Sequence, residues 1–373
     1  MRIGFDAKRL YNNFTGLGNH SRTTIDILTE SFPEEDYRLY TPKIPNNPVT
    51  QPYLHKPHCQ TITPSGLLKG GLWRTFDLVR CLRRDRVELF HGLSNEIPVG
   101  LSRSGIASVV TVHDVAFKTF TDMYHPLDRF IYDQKWCYAC RHADRIIAIS
   151  ECTKRDVMRF YDVPEEKVSV LYQPANPIFY TDENNSPADT LAAESPYMLY
   201  VGSVNSRKNL LGIVKAMELL PHDLRMPLVI VGNGRGYKRQ VQQYIADHHL
   251  ERLFIWKRVT DNSELKRLYA GAALFVYPSF YEGFGLPVVE AELCGCPVVT
   301  SNVSSLPEAG GPASIQVAPG DTQAIADGMA RALTDSALRS RMIAEGRAYA
   351  METFRPTTLA QRLMDIYKIT LKH

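Results

Sequence analysis

Residues 277–299 read YPSFYEGFGLPVVEAELCGCPVV. An apolar run, Leu274–Tyr277, leads in as a strand, and Pro297–Thr300 leads out as another. Between them Pro287 favours the first turn of a helix and Gly295 favours its end. Strand, glycine turn, helix and strand in one short segment make a βαβ unit, which needs a parallel sheet. The loop Gly283-Phe284-Gly285-Leu286 then meets the helix where N–H groups lack intrahelical partners and the potential is positive. Glu282 precedes that loop, and Glu290 lies about one turn inside the helix, roughly 12 Å along if the spacing were helical throughout. Taken singly, Glu282 is a charge favourable to the helix dipole and Glu290 a surface helix residue. Taken with the loop, the pair suits a phosphate bearing vicinal hydroxyls better than it suits proton exchange.

The same alternation runs outward in both directions. Upstream, strands are expected at Arg2–Asp6, Tyr37–Tyr40, Val87–His91, Ala107–His113, Arg145–Ile149 and Val168–Tyr172, with helices such as Gly18–Glu30 and Ser150–Tyr161 between them. Ser150 is the expected N-cap of the latter. Residues 173–197, rich in Pro, Asn, Ser and acid, read as a linker. Beyond it, strands are expected at Tyr197–Gly202, Leu228–Gly232, Leu253–Trp256, Leu274–Tyr277, Pro297–Thr300 and Ile315–Val317. The fold class is α/β: two doubly wound, Rossmann-like domains facing across a cleft, with ligands beyond the strands' carboxyl ends. Their bounds are 1–180 and 181–354. The last segment, 355–373, carries an apolar helical stripe of Leu359, Leu363, Ile366 and Ile369 that needs a surface to cover.

Composition narrows the function. A chain of 373 residues with 44% hydrophobic and 22% charged residues has material for two cores. A net charge of +3 argues against a dedicated nucleic-acid binder. The seven cysteines are odd in number and scattered, so a disulfide framework is not expected. Cys137-x-x-Cys140 lacks a second ligand pair at finger spacing and reads as structural thiols on a helix. No signal-peptide core or long apolar run occurs, which implies a cytoplasmic setting.

Three glycine-bearing strand ends could hold phosphate. Thr15-Gly16-Leu17-Gly18 opens a helix, but Ser21 stands where a dinucleotide fingerprint needs glycine. YVGSVNSRKNL, 200–210, delivers Arg207 and Lys208 just after a strand, as a fork and a point charge suited to a diphosphate or as a solvated basic turn. VIVGNGRGY, 229–237, is a tight turn.

Together these motifs resemble a known family. E-G-F-G-L-P-x-x-E, with seven residues between the glutamates, resembles the signature of retaining GT-B glycosyltransferases of family GT4. S-R-K-N, T-G-L-G, T-V-H-D at 111–114 and WKRVTDNSELKRLYAGAALFVYPS at 256–279 fall in the matching order. The resemblance implies a hexosyltransferase, with mannose from GDP-mannose as the leaning; its donor is a GDP- or UDP-linked sugar and no cofactor is implied. It implies that Glu290 holds the nucleotide ribose, while Glu282 with Gly283, Phe284, Gly285 and Leu286 holds the donor hexose. Arg207 and Lys208 would neutralise the leaving diphosphate beside Gly202 and Ser203. Gly16 and Gly18 would approach the phosphates, His113 would face the transferred sugar, and Val259 would line the base. Many relatives carry Arg where Ser203 stands, which throws more diphosphate charge onto Arg207 and Lys208. No metal is implied: no Asp-x-Asp cluster ends a strand, and the cations would replace a divalent ion. The family's final helix packs back onto the first domain.

The acceptor implied is a glycan or a lipid-linked glycan. FHGLSNEIP at 90–98 and FTDMYHPLD at 120–128 are polar-aromatic loops where the family places it. Residues 66–87 combine Trp73, Phe76, Leu78 and Val79 with Arg74, Arg80, Arg83, Arg84 and Arg86. A core-packed helix with a basic outer face is the favoured reading, and peripheral contact with an anionic inner membrane the other. Two rivals to transfer remain: a nucleotide-sugar epimerase and a catalytically silent nucleotide-sugar sensor.

Overall fold

The computed structural model describes residues 1–66, 69–181 and 196–372. The chain divides into two compact units, 1–174 with 356–373 and 175–355. The second unit starts at Ala175, ahead of residue 181, because Phe179 and Tyr180 belong to its packing. The Phe179 ring lies edge-on to Tyr269 at 6.1 Å, and the Tyr180 hydroxyl donates to the Phe354 carbonyl at 2.7 Å. Most of the expected linker, 182–195, lies outside the described residues.

The first unit holds a seven-stranded sheet of β1 (Arg2–Asp6), β2 (Asp36–Tyr40), β3 (Cys59–Ile62), β4 (Leu89–Gly92), β5 (Ala107–Val112), β6 (Arg145–Ala148) and β7 (Val168–Val170). Its order is β3-β2-β1-β4-β5-β6-β7, with every pairing parallel. β3 is an addition to the expected set. CQTI is a short edge strand between prolines, with no apolar run to announce it.

Alternate strand residues enter two cores. Leu89, Val109 and Ile147 join one, and Phe90, Val110 and Ile146 the other, so both sheet faces are covered. Helices α1 (Gly16–Ser31), α2 (Pro126–His142) and α3 (Glu151–Tyr161) belong to this unit. Ser150 caps α3, its Oγ accepting from the Thr153 N–H at 3.0 Å. Cys140 is buried on α2 and Cys137 half-buried.

The second unit holds β8 (Met198–Val201), β9 (Leu228–Val231), β10 (Phe254–Lys257), β11 (Leu274–Tyr277), β12 (Val298–Ser301) and β13 (Ile315–Val317). The order is β10-β9-β8-β11-β12-β13, again all parallel. Each sheet reverses its strand order once, at β1/β4 and at β8/β11. Carboxyl ends at such reversals leave a crevice where ligands gather. Helices α4 (Leu210–Leu219), α5 (Leu286–Leu293) and α6 (Ser336–Thr353) belong to this unit.

The final helix, α7 (Pro356–Leu371), belongs to the first unit. Its buried face carries Leu359, Leu363, Met364 and Tyr367, whereas Ile369 is exposed. The expected stripe is therefore rotated. Tyr367 displaces the aliphatics because its hydroxyl meets His91 Nδ1 at 2.6 Å. Among the described residues, no helix is long and apolar enough to cross a membrane. In the stretch 66–87, Leu67 and Leu68 lie outside the described residues; Trp73 and Leu78 are core, and Arg80, Arg83, Arg84 and Arg86 face solvent. Two members depart from the expected division. Arg74 is 6% exposed and Phe76 61% exposed.

Candidate functional site

The second unit builds its site at the β8/β11 reversal. β8 is followed by Gly202, whose φ of +155° suits glycine, and its backbone lies beside Lys208 and Tyr277. The turn that follows is fixed from inside. Asn205 Oδ1 accepts from the Lys208 N–H at 3.2 Å. Asn209, in left-handed conformation at φ +56°, donates through Nδ2 to the carbonyls of Pro278 and Pro319 at 3.2 and 2.7 Å. The same loop is tied to β11 by the Phe280 N–H donating to the Arg207 carbonyl at 2.8 Å. Arg207 and Lys208 are thereby aimed at the end of the neighbouring strand. Ser203 is exposed, its Oγ accepting from Asn205 Nδ2.

Glu282 meets them there. Its Oε2 lies 2.9 Å from Arg207 Nη1 and its Oε1 2.8 Å from Lys208 Nζ. Oε1 also accepts from the hydroxyls of Tyr277 at 3.0 Å and Ser279 at 2.9 Å. Lys208 Nζ additionally donates to the Tyr277 hydroxyl, and Arg207 to the Tyr281 carbonyl. Burial works to raise the Glu282 pKa, but the charges and hydrogen bonds of Lys208 and Arg207 prevail and hold it at about 2. The cluster is ionised throughout, with two cations on one carboxylate.

The loop after Glu282 is equally constrained. Ser304 and Ser305 hydroxyls donate to the Glu282 carbonyl at 2.6 and 2.8 Å, and Ser305 also donates to the Phe284 carbonyl. The Phe284 ring is buried against Phe354, centroids 5.3 Å apart, so this position presents backbone and not an aromatic face. Gly285, at φ +124°, leads into Leu286 at the start of α5, and a Cβ there would stand 2.9 Å from Leu306 Cδ2. Glu290, half-buried within α5, has a quite different setting. Its Oε2 accepts from the Tyr269 hydroxyl at 3.1 Å. Burial raises its pKa to about 7, only partly offset by that bond.

A cavity of about 610 Å³ opens at the carboxyl ends of β9 and β10, lined by Val231, Gly232, Lys238, Trp256 and Val259 among others. Lys238 Nζ sits 4.4 Å from the Trp256 ring centre. The glycines of VIVGNGRGY serve packing: a Cβ on Gly232 would lie 1.9 Å from the Gly202 carbonyl oxygen, and one on Gly234 2.1 Å from that of Val204.

The remaining candidates lie in the first unit. Gly16 opens α1 in free space, but a Cβ on Gly18 would fall 1.8 Å from the Asn13 carbonyl oxygen. Asn13 Oδ1 accepts from the N–H groups of Thr15 and Gly18 at 2.9 and 3.0 Å, so Gly18's donor already has a partner. His113 is buried and its ring is engaged on both sides. Nε2 contacts the Leu93 carbonyl at 2.9 Å and Nδ1 contacts Gln173 Nε2 at 3.0 Å. With Nε2 donating and Nδ1 accepting, the ring is neutral, and burial lowers its pKa. His20, on α1, packs edge-on to it at 4.6 Å.

Tyr277, Ser279 and Tyr269 escaped the sequence reading. Only the position of Tyr277 at a strand's carboxyl end hinted at a role; the others become visible once β8, β11 and α5 are adjacent.

O-antigen chain mannosyltransferase B of Escherichia coli is 33% identical to this chain, over 99% of it and 100% of the relative. The chain belongs to the GT4 glycosyltransferases. Its residues 182–349 match the glycosyl transferases group 1 family, and 22–177 match Glycosyltransferase Family 4. The serotype-specific mannosyltransferase WbdA of Escherichia coli is 30% identical over 70% of this chain, a span equal to 34% of that longer relative. Among solved structures, Anabaena Alr3699/HepE in complex with UDP and glucose covers 99% of both chains at a TM-score of 0.74 and 18% identity. The fold is GT-B, and this family member is a hexosyltransferase.

Proposed function

We propose that this glycosyltransferase moves mannose from GDP-mannose to a glycan or lipid-linked glycan acceptor, with retention of configuration and without a metal ion. The observation that carries the proposal is the Arg207–Lys208–Glu282 cluster, two cations held on one ionised carboxylate at a sheet reversal beside a helix N-terminus. Breaking the sugar–phosphate bond sends its electron pair to the diphosphate. Fixed cations and backbone donors stabilise that charge as it grows without having to reorganise. A net positive cluster supplies the role a divalent ion fills elsewhere. Glu282 serves first as the residue that orients both cations, and its engaged oxygens make it a poor covalent nucleophile. We therefore favour front-face attack: the acceptor oxygen bonds to the sugar carbon on the face the phosphate leaves, and its proton passes to the leaving phosphate oxygen.

Glu290 would grip the ribose hydroxyls, with the cavity beside Trp256 and Val259 taking the base. Gly202, Ser203 and the backbone from Gly283 to Leu286 would line the phosphates and hexose; Gly16 would approach from its own unit. His113 would order the sugar as a neutral ring, which requires displacing Gln173 or Leu93 from one nitrogen. The mannosyl choice is supported by the full-length relative. No observation favours the epimerase or sensor readings.

The deciding experiment incubates the full chain with GDP-mannose, UDP-glucose or UDP-galactose and an oligomannose acceptor in EDTA, reading the product linkage by NMR. An α-mannoside formed from GDP-mannose is expected. A β-linked product, transfer only from a UDP-sugar, or loss of turnover in EDTA would each refute the corresponding part.

A further inference from the structure

Three histidines of the first unit, His20, His91 and His113, lie near one another, and only His113 has a part in the transfer reading. His91 has both ring nitrogens engaged, Nδ1 with the Tyr367 hydroxyl at 2.6 Å and Nε2 with the Thr111 hydroxyl at 2.8 Å. His20 differs. Its Nε2 is buried and has no hydrogen-bond partner among the described residues. The start of α1 that carries it is held firmly. Arg22 Nη1 donates to the Leu10 and Asn13 carbonyls at 2.8 and 2.9 Å, and Nη2 donates to Asn19 Oδ1 at 2.6 Å. Burial, with the His113 and His91 rings beside it, lowers the His20 pKa, so the ring stays neutral. A neutral imidazole so placed costs stability unless Nε2 finds a partner.

His20 lines a small cavity of about 20 Å³ within the first unit. One water needs at least about 10 Å³, so there is room for one. Thr24, one turn further along α1 and on the same face, lines the cavity too, as does Thr111. The Thr111 hydroxyl makes one hydrogen bond to His91 and keeps capacity for another. His20, Thr24 and Thr111 give a water three polar neighbours, the usual number for a buried one. The His20 ring also packs edge-on to His113, with centroids 4.6 Å apart and planes at 85°. Hydrogen bonds at its two nitrogens fix the heading of the His113 ring, and a second ring at right angles resists its tilt. When a sugar hydroxyl displaces one of those bonds, more of the restraint falls on His20.

We infer that His20 is a positioning residue for His113, held in place by one structural water that the cavity sets between His20 Nε2 and the hydroxyls of Thr24 and Thr111. Its bearing on turnover rests on the transfer reading above, in which His113 orders the sugar. The water satisfies the buried nitrogen, the nitrogen fixes the His20 ring, and that ring fixes His113.

A high-resolution crystal structure of the full chain tests the water, which should lie about 2.7–3.2 Å from His20 Nε2. A dry cavity overturns the proposal. With GDP-mannose and an oligomannose acceptor, H20L should lower kcat about tenfold through a misplaced His113, with both KM values within about twofold of wild type. H20Q, whose amide reaches about as far as Nε2, should recover most of that loss. A merely apolar packing role predicts the reverse, rescue by leucine and not by glutamine, and either result overturns the proposal. Imidazole ¹⁵N NMR should show His113 in a single tautomer, protonated on Nε2, in wild type and H20Q, and a mixture in H20L. Should H20L fold poorly, T24V removes a partner of the water and should lower kcat about threefold; an unchanged kcat would count against the water. Failure of the transfer reading shows up separately, as no turnover with any nucleotide sugar while the water and the His113 spectra stand.

Discussion

The two sheet reversals carry different charge designs on the same scaffold. At β8/β11 two cations, Arg207 and Lys208, share one carboxylate, Glu282. At β1/β4 two carboxylates, Asp6 and Glu96, meet one guanidinium, Arg74, and one ammonium, that of Lys135. On the reading proposed above, the first arrangement would keep positive charge in reserve for a group that becomes more negative as it leaves. The second sets acids and bases in equal number. A shared topology therefore places a charged cluster at each reversal, and the balance of charge within the two clusters differs.

Lys208→Ala strikes that difference hardest. Turnover should fall on the order of 10²- to 10³-fold, with nucleoside affinity nearly kept, because the charge acts mainly on the departing diphosphate; a kcat within a factor of two of wild type would remove Lys208 from the site. Next come substitutions that leave each centre unbalanced. R74M removes the guanidinium between Asp6 and Glu96, and E282Q strands two cations. Each should cost about 3 kcal/mol in urea unfolding, and a loss below about 1 kcal/mol in either would show that centre to be better hydrated than its burial suggests. E290Q comes third, weakening GDP binding about tenfold through lost ribose contacts while sparing binding of the 2′,3′-dideoxy analogue. Equal losses for both nucleotides would contradict the ribose assignment.

The subtlest test is pH, since the two glutamates of one motif shift in opposite directions. Glu282 is held at about 2 when folded, so its stabilising contribution is present above the ordinary value of 4.5 and is lost as pH falls toward 2. Glu290 is raised to about 7, so its contribution is full below 4.5 and is lost as pH rises through 7. E282Q should flatten the acid limb of a Tm–pH profile, and E290Q should flatten the slope between pH 5 and 7. An E290Q profile that superimposes on wild type across that window would mean that the carboxyl is solvated in the protein. In the wild type, nucleotide affinity should also weaken below pH 7, where Glu290 takes up a proton and loses an acceptor.

Much of this was legible in the chain. β-Branched runs ending in glycine marked the strands, and Pro287 with Gly295 marked α5. The Arg207-Lys208 turn and the paired glutamates announced their neighbourhood. That Glu282 is clasped by those two cations was not legible, because the contact joins residues 74 apart, and strand order, not spacing, brings them together. The same holds for Arg74. On a helical wheel it is one arginine among five, and only Asp6 and Glu96, from two other elements, explain its burial. Ile369 fits the stripe of α7 by periodicity, yet Tyr367 wins the buried place because His91 waits there with a polar partner.

The placement of α7 has a consequence for how the protein is made. The first unit's sheet precedes residues 175–355 in the chain, yet the helix that completes the core around Phe5 and Leu89 follows them. Until α7 is made, that core has Ile25 and Leu28 of α1 but lacks Leu359, Leu363, Met364 and Tyr367. The first unit therefore completes its core only after the sequence of the second unit has been synthesised.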